Sequence, residues 1–272
     1  MEEITREQLQ KLEHLRNYLR ELHCVAVAFS SGVDSTFLLK IAADVLGSRA
    51  VAVTVKSHVF PQREFEEAAA FCEKRNIRQI VCEMEQLQIA GFAENPKNRC
   101  YLCKKEMFEK MRKITQGNGI SHMLEGSNMD DSGDYRPGLQ AVAELGIKSP
   151  LRDCHLTKAD IRALSKYLNL PTFDKPSYAC LASRFAYGET ITQEKLDMVD
   201  RAEQLLLELG FHQMRVRIHG TMARIEVEPG QFTKLMQDDT RNEIVNKFRA
   251  YGFTYISMDL TGYRTGSMNE VL

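Results

Sequence analysis

The sequence contains no tryptophan and no apolar run of the length that spans a bilayer. Its first residues lack the basic start and the apolar core of a signal peptide. The formal net charge of −1 argues against broad, charge-driven binding of nucleic acid. We therefore expect a cytoplasmic protein with no membrane partner and no nucleic-acid partner.

Two common nucleotide fingerprints are also missing from the first strand–helix junction, namely G-x-G-x-x-G and G-x4-G-K-[ST]. The seven cysteines are an odd number and do not suit a complete disulfide framework, so thiol chemistry or metal binding is the better expectation. With 272 residues, 43% of them hydrophobic, the chain can bury a core in one large domain or in two unequal ones.

What the junction does contain is a short apolar run over 25–29, a polar break over 30–35 and an amphipathic pattern after it. This order predicts a strand, a tight loop and a helix, and the unpaired N–H groups at the start of such a helix suit an anion. A plain loop with a helix cap is about equally compatible with these residue types. If a phosphate binds there, the residues that surround it are Ser30, Ser31, Gly32, Val33, Asp34 and Ser35.

Within that loop the side chains have different expected roles. Gly32 lets the backbone approach a phosphate, and the serine hydroxyls can donate to it. Asp34 is a poor phosphate ligand, so we assign it to binding Mg²⁺ or to capping the helix.

Strands and helices alternate over the first two thirds of the chain. Alternation of this kind predicts an α/β fold with a mostly parallel sheet and helices on both faces, and ligands at the carboxyl ends of the strands. The predicted strands are 25–29, 50–55, 78–83 and 122–125, and the predicted helices are 5–22, 35–46, 61–76, 104–116, 139–145 and 157–168.

The segments after the first, second and fourth strands should therefore line one crevice. Thr54 and Lys56 end the second strand, and Gly126 permits a turn after the fourth. Asp130 and Asp131 follow closely and are expected either to bind Mg²⁺ or to order the loop, with helix capping as an equal alternative for Asp131.

After residue 171 the composition changes. The segment 173–188 is neither periodic nor of low complexity and is interpreted as a functional loop and linker. An α-β-β-α-β order follows, with helices over 193–209 and 240–251 and strands over 214–218, 223–227 and 255–257. It predicts a small α+β domain with an antiparallel sheet, which divides the chain into domains 1–188 and 189–272.

The cysteines differ in context. Cys24, Cys72, Cys82 and Cys154 are interpreted as small buried hydrophobic residues. Cys100, Cys103 and Cys180 instead lie in polar segments predicted to be irregular, and the basic residues beside the C-x-x-C pair favour thiolates there. From the pair alone, zinc, a redox disulfide and coincidence all stay open. Three thiolates suit a [4Fe–4S] cluster with one open iron, provided that Cys180 approaches the pair.

The loop at 30–35 resembles the Ser-Gly-Gly-x-Asp-Ser loop of the PP-loop ATP pyrophosphatase superfamily, with Ser31 where that superfamily usually has its first glycine. Further motifs make the resemblance specific, and together they cover nearly the whole chain. They are Asn-Arg-Cys-Tyr-Leu-Cys-Lys-Lys at 98–105, Gly-Ser-Asn-Met-Asp-Asp at 126–131, Arg-Pro-Gly-Leu at 136–139, Glu-Leu-Gly-Ile-Lys-Ser-Pro at 144–150 and Ala-Cys-Leu-Ala-Ser-Arg at 179–184. With them, the chain resembles the LarE family of ATP-dependent sulfur transferases.

That resemblance implies a fold of the PP-loop, adenine nucleotide α-hydrolase-like kind, with ATP and Mg²⁺ as cofactors. It also implies an enzyme that adenylates a carboxylate of a pyridinium biscarboxylate mononucleotide, releases pyrophosphate and inserts sulfur to give a thiocarboxylate. The product belongs to the biosynthesis of the nickel-pincer cofactor of lactate racemase. One branch of the family sacrifices a cysteine sulfur and keeps dehydroalanine, and another has three cysteines and a [4Fe–4S] cluster. With Cys100, Cys103 and Cys180 the chain resembles the second branch.

Polar residues outside the loop are assigned to the substrate. Arg215 and Arg217 share one face of a predicted strand and suit a mononucleotide phosphate. Glu203 and Glu226 resemble acids of a family metal or phosphate site, although a solvated helix face is the alternative for Glu203. The remaining substrate or anion ligands are predicted to be Lys104, Arg136, Ser183 and Arg184.

The expected partners are a small-molecule nucleotide substrate, a sulfur-donor protein or free sulfide, and further copies of the chain in a homo-oligomer. Other functions stay open at this point. A PP-loop amidotransferase or synthetase would form a C–N bond and needs no cysteine triad. A tRNA-thiolating PP-loop enzyme is a near relative of the sulfur transferase, and the net charge of the chain disfavours it. An iron–sulfur or nucleotide sensor would bind ATP without releasing pyrophosphate.

Overall fold

The computed structural model of the protein describes residues 4–133, 137–176, 178–264 and 266–267. Its chain divides into two compact units. The first comprises 1–57, 62–84 and 100–178, and the second comprises 58–61, 85–99 and 179–272. The predicted domain boundary at 188 stays a prediction.

The first unit is built on a four-stranded sheet in which every described pairing is parallel. Its strands are β1 (Val25–Ala28), β2 (Ala50–Lys56), β3 (Gln79–Glu83) and β4 (His122–Leu124), in the order β3-β2-β1-β4. Ala28 is level with Val53, and Val27 is level with Leu124. The carboxyl ends of β1, β2 and β4 therefore meet at one edge of the sheet, as the alternating pattern predicts.

Helices cover this sheet. The helix after β1 is mainly apolar and is largely buried in the core, as expected for a helix with only a narrow polar face. The helices of the first unit are α1 (Arg6–Leu22), α2 (Val33–Leu46), α3 (Gln62–Lys74), α4 (Arg99–Gly117), α5 (Pro137–Glu144), α6 (Pro150–Asp153) and α7 (Lys158–Tyr167). The α/β class is confirmed.

The second unit is an α+β arrangement on a three-stranded sheet in the order β5-β6-β7. Its elements are α8 (Gln193–Glu208), β5 (Met214–His219), β6 (Met222–Val227), α9 (Phe232–Met236), α10 (Asp238–Tyr251) and β7 (Tyr255–Met258). Strand β5 pairs with β6 in an antiparallel manner, but β7 runs parallel to β6. The prediction of an antiparallel sheet is wrong in this respect, because the chain returns through α10 before it adds the last strand.

Two further details differ from the sequence prediction. Helix α4 begins at Arg99, so Cys100 and Cys103 lie in its first turn and not in an irregular segment. Part of the chain before them, residues 85–99, belongs to the second unit, where Ala93 O accepts a hydrogen bond from Ile191 N at 2.8 Å. Among the described residues, no helix is both long enough and apolar enough to cross a membrane.

Candidate functional site

The loop between β1 and α2 has an open, hydroxyl-lined form. Ser30 Oγ lies 3.2 Å from Ser35 Oγ, and Ser35 Oγ also donates to Gly32 O at 3.3 Å. Helix α2 starts after Gly32 without any side-chain cap, so the first N–H groups of the helix stay available to an anion. A Cβ atom on Gly32 would lie 3.4 Å from Ser30 Oγ and would enter this space. The loop therefore fits a phosphate group.

The strained position of this loop is Ser31 and not Gly32. Ser31 has φ +55°, in the left-handed region, whereas Gly32 has φ −72°. Ser31 stands where the superfamily usually has a glycine, so the departure seen in the sequence falls on the residue whose conformation favours glycine.

The turn after β4 packs closely against the start of α2. A Cβ atom on Gly126 would lie 3.2 Å from Ser35 N and 3.3 Å from Asp34 Cβ. Only a residue without a side chain fits between these atoms without displacing backbone. The loops after β1 and β4 thus form one continuous wall at the carboxyl edge of the sheet.

Asp34 does not cap the helix, so that alternative is wrong. Its carboxylate instead forms an ion pair with Lys158 Nζ and accepts a hydrogen bond from Asn128 Nδ2 at 3.2 Å. The side chain of Asp34 is 22% exposed. A carboxylate that is partly open to solvent beside a phosphate-binding loop suits a Mg²⁺ ion that also binds substrate phosphates.

Asp130 and Asp131 both order the loop. Asp130 Oδ2 accepts from Lys158 N, the first residue of α7, at 2.7 Å. Asp131 Oδ2 accepts from Asn128 N at 2.9 Å, and Asn128 Oδ1 accepts from Asp130 N at 3.0 Å. The loop-ordering alternative is thereby observed for both aspartates, while a role in binding Mg²⁺ stays a prediction.

The two residues predicted at the end of β2 lie in different surroundings. Thr54 is buried, and its hydroxyl accepts from Gln79 Nε2 at 2.9 Å. Lys56 is exposed and its ammonium lies 5.7 Å from the centre of the Phe65 ring. Glu125, which the sequence reasoning did not single out, is buried at the end of β4 and accepts from Ser127 Oγ at 2.7 Å and from Ser149 Oγ.

Cys100 and Cys103 are three residues apart in the first turn of α4, so they lie on one side of the helix, and both are half-buried. The stem of the adjacent Lys104 packs against α5, where a Cβ on Gly138 would approach Lys104 Cδ to 2.5 Å. Among the described residues, no group of three or more His, Cys, Asp or Glu side chains is placed to hold a metal ion. The helical pair can supply two cluster ligands, and the described arrangement does not supply a set of three.

Cys180 belongs to the second unit. Arginine side chains donate hydrogen bonds to its backbone carbonyl oxygen and to those of its neighbours. Arg184 Nη1 donates to Ala179 O at 2.9 Å and to Cys180 O at 3.2 Å. Arg99 Nη1 donates to Ala182 O at 2.8 Å, and Arg217 Nη1 donates to Ser183 O at 3.0 Å. Ser183 Oγ in turn donates to Cys180 O at 2.8 Å. We call residues 179–184, with these bonds, the Cys180 segment.

Two buried ion pairs anchor Arg184 and Arg217. Arg184 is bidentate on Glu203 with both distances at 2.8 Å, and Arg217 is bidentate on Glu226 at 3.0 and 2.9 Å. Burial acts to raise the pKa of Glu203, but Arg184 and Arg215 outweigh it and the pKa is lowered. Glu203 is fully buried, so the solvated-face alternative for it is wrong.

Arg215 completes a strongly basic interior. Its guanidinium lies 5.0 Å from the centre of the Tyr263 ring, and burial together with the charge of Arg184 lowers its pKa. Among the described residues of this unit, the buried charged side chains are four arginines and two glutamates, namely Arg99, Arg184, Arg215, Arg217, Glu203 and Glu226. This excess of positive charge attracts an anion. Arg136, predicted as another anion ligand, lies outside the described residues.

Several residues of the site were not predicted. Asn128 lies inside a motif that the sequence singled out, yet no role was assigned to it. Lys158 and Lys175 contact the loop from positions 124 and 144 residues away in sequence, and only the fold brings them there. Lys158 follows the capping residue Thr157, a signal for a helix start but not for an ion pair.

A family model described as a PP-loop domain matches residues 1–134. The chain is 42% identical to an uncharacterized protein of Synechocystis sp., over 96% of this chain and 98% of that protein. It is 36% identical to the pyridinium-3,5-bisthiocarboxylic acid mononucleotide synthase of Lactiplantibacillus plantarum, over 93% of this chain and 92% of that enzyme. A glutamine-hydrolyzing GMP synthase component of Thermoplasma volcanium is 25% identical, over 89% of this chain and 78% of that component.

The match to the Lactiplantibacillus enzyme extends over both units, and the PP-loop match covers the loop that fits a phosphate. The family follows from the identity over 92% of that synthase together with the PP-loop match, and does not depend on any single residue. The chain is therefore a member of the LarE family, an ATP-dependent sulfur transferase.

Proposed function

We propose that this enzyme converts a carboxylate of a pyridinium biscarboxylate mononucleotide to a thiocarboxylate, as a step in making a nickel-pincer cofactor. The observation that carries the proposal is the 36% identity over 93% of the chain to a synthase of the bisthiocarboxylic acid mononucleotide. The uncapped, hydroxyl-lined loop at Gly32 supports the ATP-dependent part, because it offers donors for phosphate oxygens.

The first step is adenylation. A substrate carboxylate oxygen attacks the α-phosphorus of ATP, the bond between that phosphorus and the bridging oxygen breaks, and pyrophosphate leaves with the electron pair. Ser30, Ser35 and the first N–H groups of α2 are proposed to bind the pyrophosphate portion and to stabilise the charge that develops on it. Asp34, with Asp130 and Asp131 nearby in the same wall, is proposed to bind the Mg²⁺ that accompanies ATP.

The second step transfers sulfur. A thiolate or hydrosulfide attacks the activated carbonyl carbon, and AMP leaves as the carbon–oxygen bond to the phosphate breaks. If the donor is the Cys180 thiolate, its sulfur–Cβ bond must also break, with loss of the Cα proton to a base, which leaves dehydroalanine. If the donor is sulfide, Cys180 stays intact. The positive charge around the Cys180 segment favours an anionic nucleophile there.

The substrate phosphate is proposed to bind through the basic interior of the second unit. Arg215 and Arg217 lie on one face of β5, since side chains alternate along a strand. Ser183 is proposed as a further anion ligand, and Lys104 as another in the first unit. Arg184, predicted as an anion ligand, is fully buried and bidentate on Glu203, so we propose that it positions the Cys180 segment and does not contact the substrate. The carboxylates of Glu203 and Glu226 orient the guanidiniums of Arg184 and Arg217 through buried ion pairs. We therefore propose that both glutamates act mainly by positioning these arginines.

We further propose that Cys100, Cys103 and Cys180 bind a [4Fe–4S] cluster. The spacing of the helical pair and the half-buried state of all three thiols support the proposal. A cluster with three cysteine ligands would present one open iron, to which sulfide can bind. Neither adenylation nor sulfur transfer as written depends on the cluster, and iron analysis decides whether it is present.

The test is anaerobic purification of the wild type and of Cys180→Ala, with iron and acid-labile sulfide analysis and an assay of pyrophosphate release with the biscarboxylate mononucleotide. The wild type should contain about four irons and release pyrophosphate, and Cys180→Ala should release pyrophosphate without forming thiocarboxylate. Iron-free wild type would end the cluster proposal. Loss of a sulfur mass from Cys180 during turnover would then identify the sacrificial route.

Gly32→Val tests the loop. Its side chain would enter the space between the two serine hydroxyls, so ATP-dependent pyrophosphate release should fall about tenfold to a hundredfold while the circular dichroism spectrum is unchanged. The division at residue 188, a homo-oligomeric state, cytoplasmic location and a sulfur-donor protein remain proposals. The alternative of C–N bond formation is favoured only if ammonia, and not a sulfur donor, consumes the adenylate.

A further inference from the structure

Ser31 holds a backbone conformation that its own side chain disfavours. With φ +55° it lies in the left-handed region, where a Cβ atom meets the following carbonyl oxygen. A residue of this kind persists only when its surroundings fix it. Because Ser31 precedes Gly32 and the free N–H groups of α2, its conformation sets the direction of those donors.

Two contacts fix Ser31. Its hydroxyl donates to Glu64 O at 3.1 Å, which joins the loop to α3. Lys175 Nζ donates to Ser31 O at 3.1 Å and to Ser31 Oγ at 3.2 Å. The same ammonium forms an ion pair with Glu67, so it bridges the loop and α3. The Lys175 side chain is only 14% exposed, which limits competition from water.

Lys175 is itself placed by α7. Arg162 Nη1 donates to Phe173 O at 2.7 Å, and Arg162 Nη2 donates to Lys175 O at 2.8 Å. These two bonds fix the backbone on which Lys175 stands. The contact between Lys175 and the loop is therefore pre-organised and not the chance meeting of two flexible side chains.

We propose that Lys175 is a positioning residue for ATP. It binds the carbonyl and hydroxyl oxygens of Ser31 and so keeps the loop in the left-handed conformation in which the N–H groups of α2 can receive phosphates. A glycine at 31 would adopt this conformation without help, so the need for Lys175 follows from the serine. The proposal rests on ATP binding at this loop and not on the identity of the acceptor.

A positioning role and a direct phosphate contact give different results in a double-mutant cycle. If Lys175 acts through Ser31, then Lys175→Met should weaken ATP binding only while residue 31 is serine. If Lys175 contacts phosphate directly, the loss should be the same with serine or glycine at 31. The cycle therefore needs wild type, Lys175→Met, Ser31→Gly and the double variant.

Dissociation constants for Mg²⁺·ATP are measured by titration calorimetry. Lys175→Met should raise the constant about fivefold to tenfold, because the competent loop becomes a minor population and the apparent affinity falls by that fraction. Ser31→Gly is the reference for its own background, and adding Lys175→Met to it should change the dissociation constant by less than about twofold. Lys166→Met is the matched control, since its ammonium lies 5.7 Å from the Phe173 ring beside the same segment. It should bind like wild type.

Steady-state kinetics give a second readout. The KM for ATP should rise in Lys175→Met while kcat for pyrophosphate release stays within about twofold, because the bound enzyme is unchanged. The proposal is overturned if Lys175→Met lowers the affinity for ATP equally with serine and with glycine at 31. It is also overturned if Lys175→Met does not lower the affinity when residue 31 is serine. If Lys175→Met fails to fold, the double variant with glycine should fold and bind ATP, and its failure to fold would also overturn it. Since ATP binding is measured without acceptor, an error in the proposed acceptor leaves this result unaffected.

Discussion

Arg184 and Glu203 form a bidentate ion pair in which both side chains are fully buried. Glu203 Oε1 also accepts from Val216 N at 3.0 Å, and Arg184 donates to the carbonyl of Cys180. One pair therefore connects α8, β5 and the Cys180 segment. The carbonyls beside the proposed sulfur carrier are oriented by charge, and the orientation depends on both partners.

The free energy of unfolding should reveal this dependence. Glu203→Gln leaves the Arg184 guanidinium buried without its carboxylate and should cost about 3–5 kcal/mol. Combining Glu203→Gln with Arg184→Met removes the charge that was left behind, so the double variant should lose less than the sum of the two single losses. Urea unfolding measures the free energy of unfolding of the two single variants and of the double variant.

An exposed pair provides the control for that measurement. Arg241 Nη2 lies 2.7 Å from Asp238 Oδ1 on the surface of α10. Exposed pairs of this kind contribute about 0–1 kcal/mol, so Arg241→Gln should change the unfolding free energy by no more than that. A loss in Glu203→Gln as small as the loss in Arg241→Gln would contradict the anchoring role of the buried pair.

Thiol reactivity should separate the cysteines into two sets. Burial raises the pKa of Cys72 and of Cys154 to about 11, so at pH 8 only about one thiol in a thousand is ionised, against about a quarter of ordinary thiols. Iodoacetamide at pH 8 should modify these two, and the equally buried Cys82, far more slowly than the half-buried cysteines. Peptide mass spectrometry after timed labelling measures this. Modification of Cys72 or Cys154 as fast as Cys24 would contradict it.

Gly126 should tolerate no side chain. Gly126→Ala places a Cβ atom 3.2 Å from Ser35 N, and the backbone at the start of α2 must shift to admit it. Overpacking of this kind costs about 1–3 kcal/mol, which corresponds to a loss of ATP affinity of about 5-fold to 150-fold if the shift falls on the loop. Gly117→Ala is the control, because nothing lies within 4 Å of its added Cβ. Equal affinity of the two variants would exclude the close approach.

The parallel sheet and its binding edge could be predicted from the sequence because they depend on local patterns. Apolar runs alternate with amphipathic ones, and the break at 30–35 follows the first strand. The expected binding edge then needs only the rule that ligands gather at the carboxyl ends of parallel strands, whereas the strand order was not predicted. The sequence did not predict that Cys100 and Cys103 lie in the first turn of α4. The residues around them are polar, and polar residues are as common in loops as in the first turn of a helix.

Roles that depend on distant partners could not be predicted. A glutamate on a helix is usually solvated, and nothing near Glu203 in the sequence indicates that Arg184 would bury it. Asp34 had two local interpretations, and its actual partners, Asn128 and Lys158, come from other elements. The serine at 31 was visible as a departure from a family pattern, but its positive φ and the contact with Lys175 follow from the fold.

Asp160 should make stability depend on pH in the acid range. Burial acts to raise its pKa, but hydrogen bonds from Lys11 and from Thr157 N, at 2.9 and 3.1 Å, outweigh it and the pKa is lowered. A carboxyl with a lowered pKa in the folded state contributes stability that is present above its unfolded pKa of about 4 and is lost as pH falls through the folded value. Asp160→Asn loses the charge that accepts these hydrogen bonds and should be less stable than wild type by about 1 kcal/mol at pH 7, and the difference should shrink below pH 4. A constant difference from pH 7 to pH 3 in thermal unfolding would contradict this.

Lys158 should compete with Mg²⁺ for Asp34. Its ammonium pairs with the carboxylate that we assign to the metal, and both side chains are partly exposed, at 30% and 22%. Removing the ammonium in Lys158→Met leaves the carboxylate without this counterion and makes it a better ligand for a divalent cation. The Mg²⁺ concentration for half-maximal pyrophosphate release should fall about threefold to tenfold at fixed ATP. Lys40→Met serves as the control, because the Lys40 ammonium pairs with Asp44 on the same helix at 2.5 Å and away from the loop. If both lysine variants keep the Mg²⁺ dependence of the wild type, Asp34 does not bind the metal in competition with Lys158, and the assignment of Mg²⁺ to this carboxylate fails.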